Sequence, residues 1–222
     1  MEFRTKVELP AKGPKIQHTD RLMIWGSCFS EHIGNLLAEH KFNCDVNPFG
    51  VLYNPMSIAT SIHCLLKKAL YQKEDLREEQ GGWYSLMHHS TFSSHEVEDC
   101  LLKINQRIAQ GHENLKQADW IIFTWGSSFV YTWKENGEIV GNCHKLSSRL
   151  FERKMVSADE ITAIYLPLLQ ELKAVRPNLQ CLFTVSPIRH LKDGLHGNQL
   201  SKANLLIAID QICSQMDFCH YF

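Results

Sequence analysis

Leu22-Met23-Ile24-Trp25-Gly26-Ser27-Cys28-Phe29-Ser30 is an apolar run that stops at a glycine and is followed at once by two nucleophile-capable side chains. The next residues, Glu31 to His40, place Ile33, Leu36 and Leu37 at helical spacing. Together they read as a strand, a tight turn and the start of a helix. Ser27 and Cys28 then lie at the carboxyl end of a strand and the amino end of a helix, where unpaired N–H groups and the helix dipole stabilise negative charge. Doubly wound α/β proteins hold ligands and reactive groups at such strand ends. A blander reading makes the segment a buried turn whose serine only caps the helix.

Three more segments read as strands. Lys41 to Val46 is weak, Asp119 to Trp125 is continuously apolar, and Gln180 to Val185 is a further apolar run. Helices are expected over about 30–40, 56–71, 97–110, 158–174 and 199–215, the fourth framed by Ser157 or Asp159 at its start and Arg176-Pro177 at its end. Alternating strands and helices imply parallel crossover units, hence a three-layer, flavodoxin-like, doubly wound α/β fold with sheet order 2-1-3-4-5. Phe129 to Val140 reads as a hairpin turning at Asn136-Gly137. The long connection from Glu74 to Glu98 is aromatic and histidine-bearing, of the kind that often carries function. Residues 1–20 read as an N-terminal extension and 21–222 as one domain. Asp217 to Phe222 looks like the opening of a fifth strand, so a C-terminal piece of the fold is expected to be absent.

Composition narrows the function classes. The chain has 222 residues, 44% hydrophobic and 21% charged, with net charge −1. Its basic residues form no stripe that could track a phosphate backbone, so nucleic acid is not an expected partner. No apolar run reaches membrane-spanning length, and the charged N-terminus lacks the uninterrupted apolar segment of a secretory signal. The eight cysteines are scattered, none in CxxC spacing, and several sit in apolar runs. They read as small buried hydrophobes of a reducing, cytoplasmic protein. Neither HxH, HExxH nor paired-cysteine spacing occurs, so no metal site and no cofactor is expected. Oligomeric state is not legible.

Three strand-end loops would converge in this sheet order: Ser27 and Cys28 after strand one, Asn47-Pro48-Phe49-Gly50 after strand two, and Gly126-Ser127-Ser128 after strand three. The N–H groups of Cys28 and Gly50, with the Ser128 hydroxyl, could receive a developing oxyanion. His88 and His89, in the long aromatic loop, read as solvated residues, with contact to a hydroxyl-rich substrate as the functional alternative.

Gly26-Ser27-Cys28-Phe29-Ser30 closely resembles the signature of the GSCFA family, a branch of the SGNH (GDSL-like) hydrolase superfamily. The resemblance continues through Asn47 to Gly50, Thr124 to Ser128, and Thr184-Val185-Ser186-Pro187-Ile188-Arg189-His190. It implies an SGNH-like esterase or acyltransferase acting on an ester-linked acyl group of a small molecule or carbohydrate. The superfamily's Gly-Asp-Ser block falls on Gly26-Ser27-Cys28, making Cys28 the implied nucleophile and Ser27 the alternative. Its glycine block falls on Gly50. Its Gly-x-Asn block falls on Gly126-Ser127-Ser128, where serine replaces the oxyanion-hole asparagine. The terminal Asp-x-x-His block would lie beyond Phe222. Asp193-Gly194-Leu195-His196 has that spacing but follows strand four, about 10 Å from strand one at normal strand spacing. His196, with Asp193, and His190 are therefore the candidate bases. The two replacements and the missing block favour a rival reading, a degenerate binding protein on the same fold. A redox-sensitive Cys28 thiol is a third.

Overall fold

The computed structural model describes residues 13–79 and 81–222. Of the expected N-terminal extension, residues 1–12 lie outside that span. The described elements run β1 (Arg21–Gly26), α1 (Cys28–Glu39), β2 (Asn43–Val46), α2 (Pro55–Lys67), β3 (Arg77–Glu79), β4 (Gly82–Tyr84), α3 (Val97–Leu115), β5 (Trp120–Trp125), β6 (Phe129–Trp133), β7 (Ile139–Val140), β8 (Phe151–Met155), α4 (Ala158–Val175), β9 (Gln180–Val185), α5 (Gly194–Gln215) and β10 (Cys219–Tyr221).

Five of these strands form one parallel sheet in the order β2-β1-β5-β9-β10. Counted along the chain, that is 2-1-3-4-5, as the alternation of apolar runs implies. Side-chain alternation splits the sheet between two layers. Met23, Trp25, Ile121, Phe123, Trp125, Cys181 and Phe183 face the main core with α2, α3, α4 and α5. Leu22, Ile24 and Trp120 face the other side, where Leu37 of α1 and Phe42 pack on them. The main core is aromatic at its centre: Phe123 stacks on Phe183 at 4.7 Å, and Trp125 meets Tyr165 edge-on at 4.8 Å. Two of the polar ring ends in this core have partners, whereas Trp125 Nε1 is buried without one among the described residues. Trp25 Nε1 donates to Ser61 Oγ at 3.1 Å, and the Tyr165 hydroxyl donates to the Pro55 carbonyl at 2.9 Å.

The structure corrects several boundaries. Strand two is only Asn43–Val46, and α2 stops at Lys67, because Lys68 turns left-handed with φ 48°. Helix α3 runs five residues further than its apolar spacing suggests, to Leu115. Helix α5 starts at Gly194 rather than near 199, so the Asp-x-x-His segment lies at a helix start, not in an open loop. The expected hairpin is present as β6 and β7, but it is part of a three-stranded antiparallel sheet ordered β7-β6-β8. Strand β8, Phe-Glu-Arg-Lys-Met, is one that sequence reading missed. A separate apolar cluster of Tyr84, Leu86, Trp133, Val140 and Phe151 seats this small sheet on the Glu74–Glu98 connection.

No helix among the described residues is long and apolar enough to cross a membrane. Cys100, Cys181 and Cys219 are buried, four other cysteines are half-buried, and Cys28 is exposed.

Candidate active site

The carboxyl ends of β1, β2 and β5 are tied together by backbone hydrogen bonds. Asn47 N–H donates to the Ile24 carbonyl (2.8 Å) and Leu52 N–H to the Gly26 carbonyl (3.2 Å), while Gly126 and Ser127 N–H both donate to the Tyr53 carbonyl (2.8 and 3.1 Å). Asn47 sits left-handed at φ 45° and accepts the Gly26 N–H on its side-chain Oδ1 at 2.9 Å. An asparagine tolerates that backbone and supplies the acceptor in one residue. The three loops expected to converge therefore do so, with Asn47 as the pin between the first two.

At the turn itself, the two candidate nucleophiles have different surroundings. Ser27 is buried and caps α1, its Oγ accepting the Phe29 N–H at 3.3 Å. Cys28 is the first residue of α1 and its side chain is exposed. Its backbone N–H has no partner among the described residues, as the first N–H of a helix normally does not. Tyr53 lies close enough to feel both Cys28 and Glu31: burial first, then these two neighbouring charges, push its phenol pKa up.

The other two expected oxyanion donors are occupied. Gly50 N–H donates to the Asn47 carbonyl at 2.8 Å, closing its own turn. Ser128 is fully buried, and both its N–H (2.8 Å) and its hydroxyl (3.2 Å) donate to Ser201 Oγ on α5. Ser127 is the serine that reaches the open side; its Oγ accepts the Phe129 N–H at 3.1 Å. Gly126 donates to Tyr53, and its carbonyl accepts from the half-buried Lys202.

Tyr53 also lines a cleft of about 600 Å³, whose lining includes neither Ser27 nor Cys28. It runs between the strand ends and the β6-β7-β8 sheet, and its lining includes Tyr53, Asn54, His89, Ser127, Arg153 and His190. His89 is held there by contact with Gly50. A β-carbon at Gly50 would collide with the His89 Cβ, and His89 N–H donates to the Phe49 carbonyl at 2.9 Å. His190 lines the cleft from the β9–α5 loop. His196, by contrast, is exposed on the first turn of α5 and does not line it. Asp193 does not orient His196 either: its buried carboxylate is paired with Arg153. The Asp-x-x-His spacing thus produces no dyad in the described structure.

His88 corrects the solvated-loop reading of its segment. Its side chain is wholly buried, stacked on Phe49 at 4.2 Å and met edge-on by Tyr71 and Phe92. Its Nδ1 is 2.9 Å from Ser85 Oγ, and burial, with His144 nearby, pushes its pKa down to about 3. The fold therefore holds a neutral ring, whereas the unfolded chain takes a proton below its ordinary pKa of about 6.5. Stability is fully present above that value and falls as pH drops toward 3, by up to about 1.4 kcal/mol per pH unit from this group. His144, also pushed down by burial, adds to the slope in the same direction. Urea unfolding between about pH 7 and pH 4 should show this loss, and His88→Phe should flatten it. Equal slopes in the two proteins would refute the assignment.

Among the described residues, no group of three His, Cys, Asp or Glu side chains is arranged to hold a metal ion. No curated protein and no solved structure matches the chain. The family pattern named for the glycine–serine–cysteine turn does match, from the first residue of β1 to the end of the sequence, residues 21–222. The turn, the Asn47–Gly50 pin and the β5 end all lie within that span, and the chain belongs to the GSCFA family.

Proposed function

We propose that this protein is an SGNH-like acyl-transfer enzyme, an esterase or acyltransferase acting on an ester-linked acyl group of a small molecule or carbohydrate. Cys28 is the nucleophile. One observation carries the reading: an exposed thiol on the first residue of a helix, at the carboxyl end of an inner parallel strand and beside Tyr53, which itself lines a substrate-sized cleft.

The chemistry follows from that placement. The Cys28 sulfur attacks the acyl carbonyl carbon, and the carbonyl π electrons move to oxygen. The unpartnered Cys28 N–H and the amino end of α1 stabilise that oxyanion. Collapse expels the alcohol, which takes the proton that a histidine received from the thiol, leaving a thioester on Cys28. Water or an acceptor hydroxyl then releases the acyl group by the reverse sequence. We assign the proton-accepting role to His190, because it lines the cleft and His196 does not. A base–nucleophile contact that is open in an unliganded site often tightens only with substrate.

The binding-protein reading also has a specific observation in its favour. Gly50 N–H and the Ser128 hydroxyl are committed to Asn47 and Ser201, and Asp193 to Arg153. Turnover of p-nitrophenyl acetate separates the two. The enzyme reading expects turnover, a loss of about 10²-fold or more in kcat for His190→Ala, and a change of no more than about threefold for His196→Ala. A protein that binds but never turns over any acyl ester would support the rival. Equal loss in both histidine variants would remove His190 from its role.

A further inference from the structure

The cleft has a charge character that the nucleophile reading does not use. The whole chain carries net charge −1, yet Arg153 and Lys192 both line this cleft against a single carboxylate, Asp193. That carboxylate is buried and already neutralised by Arg153. Lys192 is left as an uncompensated cation, with His89 and His190 and the amides of Asn54 and Asn142 on the same lining.

The two cations are held rather than loose. The Arg153 guanidinium lies 3.7 Å from the Phe129 ring centroid and 5.5 Å from that of Tyr131, both on β6. Its Nη2 reaches Asp193, and its Nε is buried without a partner among the described residues. Its donors are therefore only partly used, on a group whose planar fork matches carboxylate or phosphate geometry. Lys192 Nζ donates to the Tyr131 hydroxyl at 2.7 Å and lies 5.3 Å from that ring. Tyr131 thus carries both cations at one wall, and stacking on aromatic rings fixes where their charges sit. Tyr53, Val51 and Val140 supply apolar surface elsewhere on the lining.

We propose that this wall is an anion subsite. The molecule that occupies the cleft carries a carboxylate or phosphate, which Arg153 and Lys192 receive while the rest of the molecule extends toward Cys28. The proposal rests on the acyl-transfer reading only for what the bound molecule does. Its anion binding is independent of that chemistry.

The test therefore uses the Cys28→Ala protein, which lacks the proposed nucleophile, titrated calorimetrically with succinate and with inorganic phosphate, neither of them an ester, at low salt. Saturable binding of at least one is expected. Lys192→Met and Arg153→Lys, each added to that background, should weaken it roughly tenfold. Arg153→Lys keeps a cation beside Asp193, so the fold is retained while the fork is lost. Binding of succinate alone identifies a carboxylated ligand, and binding of phosphate alone a phosphorylated one; either supports the subsite. No saturable binding of either anion, or binding that both variants leave unchanged, overturns it. If ester turnover fails while this binding holds, the nucleophile assignment falls and the subsite stands.

Discussion

Cys28→Ala is expected to abolish turnover of a short acyl ester, by on the order of 10⁴-fold or more in kcat, because the attacking sulfur is gone and the remaining Ser27 oxygen is committed to the helix cap. The protein should fold normally. The thiol is exposed, and alanine at the first position of α1 disturbs no contact of the cap. Ser27→Ala should behave differently. Its hydroxyl is buried against the helix end and accepts the Phe29 N–H, so the main loss is stability, about 1 kcal/mol, with activity reduced far less. Steady-state kinetics and thermal unfolding of the three proteins together decide the matter. If Ser27→Ala is the dead variant, the register of the nucleophile is shifted by one. If all three proteins are equally active, neither residue attacks.

The second large effect is structural and lies one residue earlier. Gly26 has φ +152°, a region that side-chain-bearing residues rarely enter, and it pairs in register with Thr124 of β5. A β-carbon there would sit 2.5 Å from the Thr124 carbonyl oxygen and 2.9 Å from its Cβ, and would also collide with Ser30 Oγ. The oxygen belongs to a central strand and cannot swing away. Gly26→Ala should therefore cost about 4 kcal/mol or more, or yield no soluble protein. Gly137→Ala is the control: it has φ +74° but nothing within 4 Å of the new carbon, so only a backbone cost of about 1 kcal/mol applies. Denaturant midpoints should separate the two widely, and similar midpoints would contradict the collision.

The central sheet was legible because its strands are short apolar runs between helical patterns, and parallel strands buried on both sides carry that signature. The small sheet was only half legible. Phe129 to Trp133 is aromatic, but Phe151-Glu152-Arg153-Lys154-Met155 is charged, and it becomes a strand by pairing with β6. Missing β8 meant missing Arg153, the cation that pairs with Asp193 and stacks on Phe129. The start of α5 was hidden by Gly194 and Gly197, which weaken any helical signal.

Neighbouring residues of one type were the hardest to separate. His88 and His89 are adjacent, yet one ring fills the interior and the other lines the cleft. Ser127 and Ser128 both reach Ser201 Oγ, at 3.3 and 3.2 Å, yet only Ser127 lines the cleft. No one-dimensional pattern distinguishes such pairs, because the Asn47 pin, Gly50 and α5 decide which way each side chain turns. The turn itself was readable: a glycine, a capping serine and a cysteine stand where a strand hands over to a helix. What the fold added is that the serine's oxygen is used by the helix and the cysteine's sulfur is free.

That last distinction is the centre of the account, and one measurement addresses it. The protein is mixed with p-nitrophenyl acetate, quenched in acid within the burst, digested and analysed by mass spectrometry. The account predicts one acetyl group as a thioester on Cys28, labile to hydroxylamine and absent from Cys28→Ala. An acetyl ester on Ser27, or steady turnover with no covalent adduct at either residue, would contradict it.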